Sequence, residues 1–214
     1  MLPSTGEMTG PEFRYRSKQA LAGLIPIAGL VDHGPHLASG SEIELVGEYS
    51  HRLTERLHPY LFLNPIVLTT LSERSLLPSS ESAFKAAILE SSKGLKTLRI
   101  ERTAILCNGK KDLEACQTVL GQIPGKKKAL GLWQNYPKVP ELEGEDPLSP
   151  GNPFLTSQIL YLRPSMAKLE MMKYADPSFG VTGDPKKANP EIGLRIFGQT
   201  FEALVSDLDS FMRE

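Results

Sequence analysis

The segment GLVDHGPHLASGSE, residues 29–42, gathers Asp32, His33, His36 and Glu42 into one short polar stretch. Imidazole nitrogens and carboxylate oxygens are the donors that divalent ions such as zinc and manganese take from proteins. A second stretch, CNGKKDLEA over residues 107–115, adds Lys110, Lys111 and Asp112. An ammonium beside carboxylates neutralises them, and it acts as a base or Schiff-base nucleophile only if its pKa is strongly lowered. Nearby carboxylates raise that pKa, so Lys110 reads as a counter-ion before it reads as a base. Ser41 has no histidine at a helical offset that would activate it, which argues against a serine nucleophile.

Both stretches need elements to carry them. Leu21 to Ala28 is a short, continuously apolar run, as a parallel strand covered on both faces requires. Ser41 to Leu57 repeats apolar residues at helical spacing, with Ser41 as the expected N-cap. Tyr60 to Leu68 reads as a second strand that bends or ends at Pro65, because proline cannot donate to a ladder. A helix over Ser82–Leu98, a strand over Arg102–Cys107, a helix over Lys111–Leu120 and a strand over Lys127–Gln134 follow. Asn135 to Pro153 is rich in proline, glycine and acids and reads as a long surface loop. Thr156 to Met172 is expected to be helical, Pro177 to Pro190 a loop, and Glu191 to Met212 an amphipathic C-terminal helix.

Alternation of strand and helix predicts an α/β fold with three layers, α/β/α, and a mostly parallel central sheet. Ligands of such sheets bind beyond the C-terminal strand ends. The loops at residues 29–40 and 108–112 both leave strand ends, so they should share one cleft.

The 214 residues suffice for one domain with a substantial core, and residues 1–214 are read as such. Twenty-four basic against twenty-five acidic side chains give a net charge of −1, which argues against a nucleic-acid binder. No apolar run approaches the roughly 20 residues of a membrane helix. The opening residues, MLPSTGEMTGPEF, have neither the basic nor the apolar region of a secretory signal, so a cytoplasmic location is expected. Cys107 and Cys116 fit no zinc or redox motif and read as reduced thiols, although their pairing stays open.

The stretch PIAGLVDHGPHLASGSE resembles the creatininase (creatinine amidohydrolase) family, whose members read P-x-G-S-x-E-Q-H-G-P-H-L-P-x-x-T-D there. RTAILCNGKKDLEA is similar to the family's strand ending in N-G-H-x-x-N. LTSQILYLRPSMAKLE is similar to its E-T-S-x-x-L-x-x-x-P segment, and FGVTGDPKKANPEIG to its G-V-x-G-D-P-x-x-A-x-x-E-x-G segment. The likeness runs in order over about residues 10 to 212. It implies the creatininase fold, metal-dependent hydrolysis of amide C–N bonds in small, often cyclic substrates, and self-association, frequently as hexamers.

The resemblance also implies which positions should bind the two metals, and most of them are changed. Val31 stands where the family has a glutamate, Lys110 where it has a histidine, and Leu155 where it has an acid. His33 is kept. Glu42 replaces the bridging aspartate, and a carboxylate longer by one methylene misplaces its oxygens relative to a metal's tolerance. Asp112 falls on a further carboxylate position, and Asp32 on the family's glutamine. The expectation is a degenerate site with little or no hydrolase activity and no metal, in which Lys110 pairs with Glu42 and a small polar ligand can bind. The alternative is an active single-metal amidohydrolase using zinc or manganese on His33, Glu42 and Asp112. Metal-free chemistry at Lys110 ranks last.

The remaining singled-out residues read as structural. His36 is expected to bond a backbone carbonyl in a turn, and His51 and His58 to lie at the surface or an interface. Trp133 is expected in the core or an interface rather than over a ligand. Gly183 in the Gly183-Asp184-Pro185 turn is expected at positive φ.

Overall fold

A computed structural model describes residues 8–214. Part of the segment read for a secretory signal, residues 1–7, lies outside the described residues. The strand expected at Leu21–Ala28 is β1 (Ala22–Ala28), with every residue buried. Residues β2 (Leu61–Leu63) and β3 (Val67–Leu68) flank the proline break, followed by β4 (Arg102–Cys107) and β5 (Lys126–Gly131). All pairings are parallel, in the order β2-β1-β4-β5, with β3 extending the β2 edge along β1.

Pro26 sits inside this central strand, where a proline ordinarily disrupts a ladder. Leu24 pairs with Leu63 and Ile27 with Val67, so three residues of the β2–β3 edge oppose two of β1. The Leu24 and Ala28 carbonyls both accept from that edge, through the Asn64 and Thr69 N–H groups. By strand alternation Pro26 faces the same side, so its missing donor falls opposite the irregularity around Pro65. Two prolines thereby share one break in the sheet.

The helices are α1 (Gly10–Gln19), α2 (Ser41–Arg56), α3 (Glu81–Thr97), α4 (Lys110–Leu120), α5 (Pro153–Leu162) and α6 (Pro190–Arg213). Alternate residues of β1 feed opposite layers. Ala22, Leu24 and Ala28 pack with Leu45, Tyr49, Leu53, Ile159, Phe197 and Leu204 of α2, α5 and α6. Ile25 and Ile27 pack with Phe84, Ile88, Leu113 and Cys116 of α3 and α4. This is the three-layer α/β/α arrangement. Tyr49 ties its layer together: its ring stacks on Phe197 at 4.2 Å and its hydroxyl donates to Gln158 Oε1 at 2.8 Å.

Several local expectations need correction. Ser41 is the first helical residue of α2, not its cap; its hydroxyl donates back to the Ala38 carbonyl at 2.6 Å. The helix expected over Thr156–Met172 begins earlier, because Asn152 caps it and Pro153 occupies the first turn. It ends at Leu162, ahead of Pro164, and the chain continues as short 3₁₀ turns at Pro164–Met166 and Leu169–Tyr174. The strand expected to reach Gln134 ends at Gly131 and passes into a 3₁₀ turn, Leu132–Asn135. Gly183 does not take positive φ. Its need for a hydrogen side chain is steric, since a Cβ would press against the Cα of Asn152 at 2.8 Å. Helix α1 has no counterpart in the sequence pattern, its polar composition offering little periodic signal. Cys107 and Cys116 are free and buried. No helix among the described residues is long and apolar enough to cross a membrane.

Candidate functional site

The loop after β1 and the loop after β4 leave neighbouring strands at the same end of the sheet, and a cavity of about 240 Å³ lies between them. Val31, His33, Glu42, Asn108, Lys110 and Asp112 line it, with Pro147–Pro150 and Asn152 forming the opposite wall. The sequence-based expectation of one shared cleft therefore holds, and the long loop supplies part of its rim.

Arg74, which no sequence pattern marks, fastens the first loop. Its Nη2 donates to Asp32 Oδ2 at 2.7 Å and its Nε to the Asp32 carbonyl at 2.7 Å. Its Nη1 donates to the Gly180 carbonyl at 2.9 Å, joining a third loop to the same guanidinium. Asp32 in turn accepts the Gly34 N–H at 2.9 Å, and Gly34 takes φ +86, a conformation that favours glycine. Asp32 is thus a loop-building residue, turned away from ligand duty.

His36 is fully buried and its Nε2 lies 3.2 Å from the Thr156 hydroxyl. Its partner is a side chain of α5 rather than the backbone carbonyl expected. Burial lowers its pKa to about 4. His33, 4% exposed, has no hydrogen-bond partner at either ring nitrogen. Its Nε2 stands 3.7 Å from Glu42 Oε1, beyond hydrogen-bond reach. Burial first, then the positive field of His36 and Arg74, lowers its pKa to about 4.

Glu42, in the first turn of α2, is buried, and its carboxyl pKa is raised to about 7. Burial is the main cause and the nearby Asp112 carboxylate adds to it, opposed by a hydrogen bond with the Asn108 side chain. Near neutral pH the His33–Glu42 contact is therefore between a neutral imidazole and a half-protonated carboxyl, not an ion pair.

Asp112 is buried in the first turn of α4, and both of its oxygens are engaged. Oδ1 accepts the Leu71 N–H at 2.6 Å and Oδ2 accepts the Thr70 hydroxyl at 2.8 Å. Burial raises its pKa, against the pull of those two donors. The carboxylate pins the loop after β3 onto α4.

Lys110 does not pair with Glu42, contrary to expectation. It is exposed at the start of α4, at the rim of the cavity, and forms no ion pair among the described residues. Starting a helix with Lys110 directs its side chain outward, while the buried Glu42 is contacted by His33 and Asn108. Lys111 is also exposed and pairs with Glu73 at 2.5 Å. Val31 and Leu155 are buried, at 4% and 2% exposure, as apolar packing residues. Trp133 packs against the α3–α4 layer, consistent with a structural role. His51, partly exposed on α2, faces Glu55 at 3.8 Å.

The donor set does not fit a two-metal centre. No group of three or more His, Cys, Asp and Glu side chains among the described residues is arranged to hold a metal ion. His33 and Glu42 remain as neighbours, while the oxygens of Asp112 serve Leu71 and Thr70. What the site offers instead is a compact polar cavity. It has an unpartnered imidazole, a carboxyl able to give or take a proton near neutral pH, and the Asn108 amide.

Solved creatininase structures share this architecture. A creatininase described with manganese superposes with a TM-score of 0.80 at 15% identity, covering 99% of this chain and 100% of that chain. A creatinine amidohydrolase (creatininase) structure gives 0.79 at 15% identity, with 98% and 97% covered. A protein from Bacteroides fragilis assigned as a creatinine amidohydrolase gives 0.70 at 14% identity, with 91% of each chain covered. No protein-family model and no curated protein matches the chain. At such identities the likeness is one of fold: the chain has the creatininase fold.

Proposed function

We propose that this chain is a divergent creatininase-family protein whose cleft binds a small polar ligand and whose metal-dependent amide hydrolysis is lost or strongly weakened. The observation that carries this reading is the donor set: no group of three or more His, Cys, Asp and Glu side chains among the described residues is arranged to hold a metal ion. Asp112 is oriented by its bonds to Thr70 and Leu71, which hold it as a brace between α4 and the loop after β3. Val31 and Leu155, packed as hydrophobic residues, supply no replacement. The retained HGPHL frame and collinear motifs support common ancestry with enzymes that hydrolyse cyclic amides.

The expected ligand is neutral and polar, of amide or urea type. The protonated form of Glu42 donates, neutral His33 donates and accepts, and Asn108 does both. Catalytic roles for Lys110 and Glu42 find unequal support: Glu42 sits inside the cavity with a pKa suited to proton exchange, whereas Lys110 stands at its rim. The test is a creatinine hydrolysis assay on protein purified without chelator and then supplied with zinc or manganese. Turnover at the level of an active creatininase would overturn the reading.

A second reading has one observation in its favour. The two ring nitrogens of His33 are buried without partners beside Glu42, as a vacated or latent ligand pair would be. In this reading one zinc or manganese ion joins His33 and Glu42, with Asp112 released from Thr70, and Lewis-acid amide hydrolysis survives. Metal content measured with hydrolysis in His33→Ala separates the readings. A single-domain cytoplasmic protein remains part of this proposal, and the family likeness supports self-association, with six copies as the number implied; sedimentation analysis tests the assembly.

A further inference from the structure

A second cavity, of about 640 Å³, opens at the other end of the sheet from the cleft. Arg14, Ser17, Lys18 and Ala20, in and just after α1, form one side, and Thr97, Leu98 and Arg99, between α3 and β4, form the other. Its ionisable side chains are Arg14, Lys18 and Arg99, all exposed and all cationic. None of the three forms an ion pair among the described residues. In a chain of net charge −1, three cations from two separate elements line one concavity without an acidic side chain among its lining residues, which makes it locally positive.

Arg99 adds a second, independent observation. It is the non-glycine residue with positive φ, +63, among the described residues. It occupies the left-handed position that closes α3, where glycine is strongly preferred because a Cβ is strained there. The closure itself is made by backbone groups: Leu98 N–H to the Leu95 carbonyl, Arg99 N–H to that of Lys96, and Ile100 N–H to that of Leu95. The guanidinium caps no carbonyl in this motif, so helix termination does not explain an arginine there. A strained arginine held at the mouth of a basic cavity is what ligand binding would retain.

We propose that this cavity is an anion site for a small molecule carrying a phosphate or diphosphate group. Arg14 and Arg99 would bind its oxygens through paired N–H donors and Lys18 as a point charge. The volume accommodates a ligand of about mononucleotide size. The site is separate from the cleft, so it stands whether or not the cleft hydrolyses amides.

The test uses the full-length protein with pyrophosphate and, separately, inorganic phosphate as probes, at constant ionic strength set with sodium chloride. Binding is followed by calorimetry and by the shift in melting temperature. Saturable binding of pyrophosphate is expected, weakened at least tenfold in Lys18→Ala and in Arg99→Gly. The glycine variant provides a control on folding: relief of positive-φ strain should leave its melting temperature without ligand equal to or above that of the parent. Unsaturable stabilisation that sodium chloride reproduces would show screening only and overturn the proposal. Equal pyrophosphate affinity in both variants would overturn it too.

Discussion

Asp112 reaches from the first turn of α4 to the Thr70 hydroxyl, 2.8 Å away, and this bond turns an acid at the sheet's C-terminal end into a structural brace. Its other oxygen holds the Leu71 N–H at 2.6 Å. The loop after β3 is thus anchored by a carboxylate that also lines the cleft.

Replacing Asp112 should therefore damage the fold. Asp112→Ala leaves a buried hydroxyl and a partly buried N–H without an acceptor, a loss of about 2–4 kcal/mol. Urea unfolding measures it. Lys110→Ala, at an exposed and unpaired position, should leave the midpoint unchanged within error.

Stability should depend on pH through Glu42. Its folded pKa, about 7 against an ordinary 4.5, means that the folded state holds an extra proton between those values. Stability from this group is full below pH 4.5 and is lost as pH rises to 7, by about 3 kcal/mol at most. His33 and His36, lowered to about 4 from 6.5, act in the opposite sense: their contribution falls as pH drops from 6.5 to 4. Two histidines outweigh one carboxyl, so the melting temperature should rise from pH 5 to about pH 7 and then level off. Glu42→Gln should fall more steeply on the acid side and be the more stable protein at pH 8, with no such advantage at pH 4.5.

Arg74 should govern the order of the loops it joins. Arg74→Met removes the bonds to Asp32 and Gly180, two partly exposed links, and should cost about 1–2 kcal/mol. Limited proteolysis should then cut faster near residues 176–181. Gly180→Ala should behave alike, because a Cβ there would collide with the Arg74 guanidinium at φ +70.

The α5–α6 contact should tolerate no added methyl group. A Cβ on Gly193 would overlap the Ser157 carbonyl oxygen, so Gly193→Ala should destabilise by about 2–3 kcal/mol. Thermal unfolding of the variant checks this.

Elements with strong periodicity, β1, α2, β4 and α6, are legible in the sequence because burial leaves a pattern in residue type. The cleft is legible too, since strand order places the 29–40 and 108–112 loops side by side. Partners made across space are not. Nothing in TLSERSLLP marks Arg74 as the clamp of Asp32, and nothing near Asp112 announces that Thr70 consumes its oxygen. Lys110 shows the same limit: its charge is readable, but its direction depends on where α4 begins. Helix α1 lacks an apolar stripe, and the end of α5 is set by Pro164 against a helical pattern that runs beyond it.

The central claim, that this creatininase fold has lost its metal centre, is tested most directly by metal content after loading. Purified protein incubated with zinc or manganese and then desalted should retain well below one equivalent, with no change in His33→Ala. Retention of one or two equivalents that His33→Ala or Glu42→Gln abolishes would contradict the claim.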